Sequence, residues 1–305
     1  MGALFGYLLR AMKVLVLVNP RAGLHRDRAV HSRKVRDLFP PGDVEVETPE
    51  SAEEMGERAR AAARAGTPMV VAAGGDGTIN DVARQLIGSE TILGILPLGS
   101  GNGFSRGLGI GATVARAIKI LHEGVDRSID VGEVNGAPFF CVSGIGFDAV
   151  VGEEFQRSPV RGVLPYFGIA ARESLQYRPV EVTLRFEDHE LVTRAFLVAV
   201  ANMNQFGGGA KIAPNADPRD GLLDVVVIRK LNVFEMLFYT PKLFDGSIDK
   251  VTPLETYRSR EFRILRSQRG PMHLDGNPVE EGHVLDYRVR PGALRVRVPA
   301  GNAGD

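Results

Sequence analysis

The chain has 305 residues, 44% hydrophobic and 24% charged, with 37 Lys plus Arg against 37 Asp plus Glu. That length accommodates two cores, and a zero net charge argues against the basic excess of a general nucleic-acid binder. The single cysteine excludes an intrachain disulfide and suits a reducing compartment, and no apolar run reaches the roughly 18–20 residues of a membrane span.

Residues 1–13, MGALFGYLLRAMK, are apolar, with Arg10 inside the run and no small-residue cleavage site. They read as a short surface helix or extension, with a weak membrane-surface anchor as the alternative; Gly6 stands where a myristoylation motif needs Ser or Thr. Residues 13–18, KVLVLV, form a continuous apolar run, as a strand covered on both faces requires, and stop at Asn19-Pro20. A helix is predicted over 51–65, with Ser51 and Glu54 as a capping box and Gly66 as its stop. Residues 69–73 read as a second buried strand. Thr78 with Asp81 is predicted to cap the next helix, which Gly88 ends. A third strand at 92–98 runs into GSGNGFSRGLGIG, and a further helix covers 113–123. Strands alternating with helices give a parallel sheet with helices on both sides.

Beyond about residue 127 the texture changes. Residues 180–186 and 294–298 alternate apolar and polar side chains, and Asp275-Gly276 is a hairpin-turn dipeptide between PMHL and PVEE. Cys141, in FFCVSG, reads as an inert core thiol. This half is predicted to be an antiparallel sandwich, interrupted by helices near 166–175 and from Asn232 to just before Pro241. The domains are therefore 1–126 and 127–305.

In open parallel sheets ligands bind beyond the carboxyl ends of the strands. Three such ends carry unusual loops, NPRAG, GGDGT and GSGNGFSRG. Their glycines let backbone N–H groups approach an anion, and the helix N-termini that follow add positive dipole. Asp76 sits in the middle loop. A carboxylate beside a phosphate site has two uses: binding Mg²⁺, or accepting the proton of an attacking alcohol. The plainer alternative is a carboxylate that hydrogen-bonds its own turn.

NPRAG, GGDGTINDV, PLGSGNGFSRGLGI, SGIGFDA and IAPNADPRDGLLDVVVI occur in the order seen in the diacylglycerol kinase catalytic-domain family, which the chain resembles from about residue 13 to 276. GGDGT alone is weak, since NAD kinases and phosphofructokinases share it. The resemblance implies a phosphofructokinase-like α/β domain with a parallel sheet, followed by a C-terminal antiparallel β-sandwich. It also implies ATP and Mg²⁺ as cofactors, with a lipid hydroxyl as acceptor. Asn19, Gly74, Gly75, Asp76, Gly77, Thr78, Gly99, Ser100 and Asn102 would contact nucleotide, with Asp76 catalytic and Arg106 a phosphate or ribose neighbour. Asp148 would touch the substrate head group or, alternatively, cap its loop. Asp217 and Asp220 match a region that in bacterial relatives holds a structural Mg²⁺ through water; otherwise they are turn carboxylates.

Three departures stand out. Leu24 replaces a frequent lysine, with Arg21 and Arg26 nearby. Gly103 replaces an aspartate. Asn277 replaces the glutamate proposed as general base, and an amide has no basic site near neutral pH. The base is then Asp76, or Glu280 or Glu281, or the protein is a nucleotide- or lipid-binding regulator without efficient transfer. NAD kinase is the remaining enzyme alternative. Residues 233–244, rich in large apolar side chains, read either as a helix packed on the sandwich or as a membrane-docking rim. Arg157 and Arg161 are candidates for a lipid or ATP phosphate. The expected partner is a lipid at a membrane surface, reached by peripheral contact from the cytoplasm, with no nucleic acid and with a homodimer left open.

Overall fold

A computed structural model describes residues 13–22, 33–39, 44–157, 163–174, 176–205, 208–251 and 254–301. The N-terminal extension, Leu24, Arg26 and Arg161 lie outside them. The chain forms two compact units, one of residues 1–129 with 292–305, the other of residues 130–291.

In the first unit β1 (Val14–Val18), β2 (Val44–Glu47), β3 (Met69–Gly74) and β4 (Ile92–Pro97) form a parallel sheet in the order β2-β1-β3-β4. Every residue of β1, β3 and β4 is buried, as their unbroken apolar runs require of strands covered on both faces. Helices α1 (Ala52–Arg64), α2 (Asp76–Leu86), α3 (Gly103–Gly107) and α4 (Val114–Glu123) make the connections. Ser51 caps α1 by accepting the Glu54 N–H at 3.1 Å. The cap predicted at Thr78 is not there: α2 begins at Asp76 with Gly75 as N-cap, so Thr78 lies inside the first turn.

After β5 (Val125–Val134), which pairs antiparallel with β6 (Ala137–Phe139), the strands of the second unit are antiparallel. One sheet holds β13 (Glu261–Arg266), β8 (Val180–Arg185) and β9 (Glu190–Ala195), beside the start of β16 (Val284–Val298). The other has the order β12-β11-β10-β7-β14-β15, formed by β7 (Val142–Gly146), β10 (Leu197–Ala201), β11 (Leu223–Ile228), β12 (Leu254–Ser259), β14 (Gly270–Leu274) and β15 (Asn277–Glu281). The core between them includes Phe139, Leu184, Val200, Val225 and Ile264, and the rings of Phe262 and Tyr287 stack at 5.0 Å. Helices α5 (Phe147–Arg157), α6 (Val163–Ser174) and α7 (Val233–Asp245) lie in the same unit.

Three differences from the sequence reading have physical causes. The tail from Gly292 belongs to the first unit, where Val296 pairs in parallel with Leu93; an alternating strand carries no label of its partner. Helix α7 runs through Pro241 to Asp245. Proline removes a helical N–H, and the hydroxyl of the residue just before it, Thr240, donates to Met236 O at 2.7 Å. Phe234 and Phe238 of that helix are 80% and 69% exposed, so its apolar residues do not all pack on the sandwich.

Candidate active site

The loops after β1, β3 and β4 are bound into one edge of the parallel sheet. Asn19 donates its backbone N–H to Ala73 O at 2.9 Å and its side-chain amide to Thr78 Oγ1 at 2.7 Å. Leu98 donates its N–H to Gly74 O at 2.8 Å. The glycines are where side chains would not fit: a Cβ on Gly74 would stand 2.5 Å from Thr78, and one on Gly99 only 2.6 Å from Gly75 Cα. The second and third loops thus meet backbone to backbone. Asn102, in the left-handed region at φ 50°, accepts the Gly99 N–H at 3.2 Å and donates to Gly99 O at 2.8 Å. That reciprocal pair closes the third loop on itself.

Asp76 points into this arrangement. Its Oδ1 accepts the Phe104 N–H at 3.2 Å, and a Cβ on Gly101 would lie 2.9 Å from its Oδ2. Burial pushes its carboxyl above the usual carboxylate range, and the amides of Phe104, Gly103 and Asn102 oppose that rise without cancelling it. The result is a carboxylate more basic than one in water, held by a loop other than its own.

Asn19, Gly74, Gly75, Thr78, Gly99 and Asn102 therefore gather around Asp76. The side chains of Asn19, Thr78 and Asn102 hold loops together, which leaves main-chain amides as the groups to face an anion. Gly77 and Ser100 are exposed at the edge. Arg106 donates to Gly101 O at 3.2 Å.

In the second unit Asp148 sits in the first turn of α5 and is only 6% exposed. His273 Nε2 lies 3.0 Å from Asp148 Oδ2, while His273 Nδ1 accepts the Gly276 N–H at 3.3 Å. That second bond assigns the imidazole proton to Nε2, which donates to Asp148. Gly144 leaves room for the pair, since a Cβ there would stand 2.0 Å from Asp148 Oδ2. The carboxylate expected at a substrate head group is thus buried against a histidine.

Asp275 and Gly276 form the predicted hairpin turn, both with positive φ, 52° and 79°. The Asp275 carboxylate accepts N–H groups from Phe140, Cys141 and Val142 at 2.9, 2.7 and 3.1 Å. It anchors the turn to the start of β7. Burial still leaves its carboxyl above the usual range, against the pull of those amides. Asn277 is exposed at the first position of β15. Glu280 and Glu281 pair opposite Pro271 and Gly270, at the far end of the hairpin, about 10 Å along the strand from Asn277.

Asp217 and Asp220 lie on one turn. Arg219 spans both Asp217 oxygens at 3.0 and 3.3 Å. Asp220 accepts the Leu222 N–H at 3.0 Å and pairs with Arg258, whose Nε is 3.4 Å from Asp224 Oδ1. Among the described residues no group of three His, Cys, Asp or Glu is placed to hold a metal ion. With guanidinium groups already on these carboxylates, the turn as arranged does not fit a resident divalent cation, and no step below passes through one. Arg157 is likewise engaged, by Glu153 and Glu154 at 2.5 and 2.8 Å.

Sequence reasoning missed Asp130, His273, Asp224 and Arg258. Asp130 is 3% exposed in a strand and accepts the Gly221 N–H at 2.7 Å. The local sequence, VDRSIDVGEV, is mixed in character and offers only a carboxylate between Ile129 and Val131 as a signal.

Both halves of the chain match known protein families. Residues 13–134 match the model of the diacylglycerol kinase catalytic domain, and residues 141–298 that of the YegS C-terminal NAD kinase beta sandwich-like domain. A probable lipid kinase YegS-like protein of Chromohalobacter salexigens is 33% identical over 255 residues, covering 80% of both chains. A diacylglycerol kinase of Bacillus subtilis is 29% identical over 215 residues, covering 68% of this chain and 70% of its own. Among solved structures, a putative diacylglycerol kinase from Bacillus anthracis superposes with a TM-score of 0.75 at 22% identity, covering 94% of this chain and 97% of that one. An NAD kinase from Archaeoglobus fulgidus in complex with ATP reaches a TM-score of 0.52 at 13% identity, over 93% of each chain, a likeness of fold alone.

Proposed function

From the premise that this chain belongs to the diacylglycerol kinase catalytic-domain family and is a lipid kinase, we propose that it transfers the γ-phosphoryl group of ATP, taken up as its Mg²⁺ complex, to the hydroxyl of a diacylglycerol-type lipid. The observation that carries this reading is the edge where Gly75 and Gly99 meet and Asp76 stands beside them.

The main-chain amides of the three loops, with the N-terminus of α2, bind the phosphates. Asp76 is the residue beside those phosphates, and a magnesium ion bound to the nucleotide would supply the countercharge there. The lipid oxygen attacks γ-phosphorus in line. The bond to the β–γ bridging oxygen breaks, ADP leaves with that electron pair, and the hydroxyl proton passes to Asp76. Positioning and electrostatics do the catalysis.

Asp76 is the favoured base by elimination as well as by basicity. Asp275 is occupied by three amides, Asn277 cannot accept the proton, and Glu280 lies at the other end of its strand. The match to the diacylglycerol kinase catalytic domain and the lipid-kinase relatives weigh against NAD kinase. A regulator that binds nucleotide or lipid without transfer is the second reading, and Asn277 is the feature that motivates it.

The test is ATP-dependent phosphorylation of diacylglycerol, ceramide, a sphingoid base, phosphatidylglycerol and NAD, read by product mass. The kinase reading expects phosphorylated diacylglycerol. Nucleotide binding without lipid-dependent ADP release from any of them would favour the regulator, and phosphorylated NAD the other enzyme. Among the described residues no helix is long and apolar enough to cross a membrane, so the lipid is expected to be met from the bilayer surface.

A further inference from the structure

A cavity of about 1080 Å³ opens in the second unit, lined by residues from the ends of both sheets of the sandwich. It lies where β7 ends at Gly146 and β14 begins at Gly270, whereas the Asp275 turn sits at the other end of those strands. The length of β7 separates them, about 13 Å.

The lining has two characters. Ile145, Val150 and Phe196 give it an apolar wall. Arg178, Lys230 and Arg269 line it as well, all exposed, and none has a carboxylate partner among the described residues. Three other lining arginines differ: Arg229 is held by Glu255 at 2.6 Å, Arg194 faces Glu181 at 4.0 Å, and the buried Arg266 donates to Gly282 O at 2.8 Å. Unpaired cations beside an apolar wall complement a ligand with an anionic head and a hydrocarbon tail, not a small inorganic anion alone. Just past Leu231, which lines the cavity, the chain enters α7 and exposes Phe234 and Phe238 one turn apart. Such a pair suits a bilayer interface.

We propose that this cavity and the start of α7 dock the protein on an anionic bilayer, with a phospholipid phosphate among Arg178, Lys230 and Arg269 and with Phe234 and Phe238 set into the interface. The site needs no nucleotide and is separate from the Asp275 turn. Phosphoryl transfer is not part of it, so it goes beyond the kinase reading.

The experiment is co-sedimentation of the full chain, without ATP, with vesicles of phosphatidylcholine alone or mixed with phosphatidylglycerol. Binding to the mixed vesicles only is expected, weakening with salt. Arg178→Gln with Arg269→Gln should weaken it about fivefold for each charge removed and flatten the salt dependence. Phe234→Ser with Phe238→Ser should weaken it and leave that dependence intact. All four side chains are exposed, and unchanged melting temperatures would verify that the variants fold. Equal binding to both vesicle types, or wild-type binding by the arginine variant, would overturn the proposal. So would tight calorimetric binding of glycerol 3-phosphate without vesicle binding, which would reassign the cavity to a soluble phosphate ester. Wild-type turnover on detergent-dispersed diacylglycerol, measured alongside, separates failure of this site from failure of the kinase reading.

Discussion

Replacing Asp76 by Asn tests the mechanism with almost no change of shape. The amide keeps an oxygen to accept the Phe104 N–H, which lies 3.2 Å from Asp76 Oδ1, so the loop contact survives. What is lost is the basic site. Removing a positioned general base lowers turnover by about 10²–10⁴-fold, and ATP binding should persist. Stability should change by no more than about 1 kcal/mol, and in the stabilising direction, because a hydrogen bond is kept and a desolvated charge removed. The sign with pH follows from burial, which raises the Asp76 carboxyl in the folded state. In strong acid both states are protonated and the wild type carries no penalty. As pH rises through the unfolded pKa, the unfolded chain ionises first, and wild-type stability falls until the folded pKa is passed. The variant's advantage is therefore absent in acid and complete at neutral pH, which urea unfolding at the two pH values would measure. The acid limb of the wild-type rate profile should lie above the ordinary carboxylate range and vanish in the variant. Wild-type turnover in the variant would refute the base role; lost turnover with a melting temperature several degrees lower would make Asp76 structural instead.

Gly99→Ala should destabilise the first unit by about 1–3 kcal/mol and weaken ATP binding, since its Cβ would meet Gly75 Cα at 2.6 Å; a thermal melt and a nucleotide titration measure both. Asn277→Glu is expected to leave turnover within about threefold if Asp76 is the base, and a tenfold gain would move that role to the hairpin. Arg258→Ala should cost about 1–2 kcal/mol by urea unfolding, because it strips the guanidinium from Asp220 and from the buried Asp224, with a discount for an arginine side chain that is 46% exposed. Wild-type melting should not respond to EDTA, whereas a clear fall would restore a metal at the Asp217–Asp220 turn.

What could be read from the sequence was what local chemistry dictates. Continuous apolar runs identified β1, β3 and β4 of the parallel sheet, and glycine clusters after them identified the loops; β2, whose VEVE alternates with charge, went unread. The Asp275-Gly276 dipeptide specified a turn with two positive φ angles, as found. The misses came where distant partners decide. Thr78 looks like a cap, yet its hydroxyl serves Asn19, 59 residues away. The resemblance puts Asp148 at a substrate head group, but nothing local shows that His273, 125 residues on, lies against it. Asp217 is taken by its near neighbour Arg219, but Asp220 is paired by Arg258, 38 residues on. Pairings of this kind leave no periodic trace, and neither does the return of the tail to the first unit.

The most direct measurement is transfer of radiolabel from γ-³²P-ATP to diacylglycerol by the wild-type chain and by Asp76→Asn, with ATP affinity recorded for both. The account predicts labelled lipid from the wild type, none above background from the variant, and similar nucleotide binding. Equal labelling by the two proteins, or a wild type that fails to bind ATP, would contradict it.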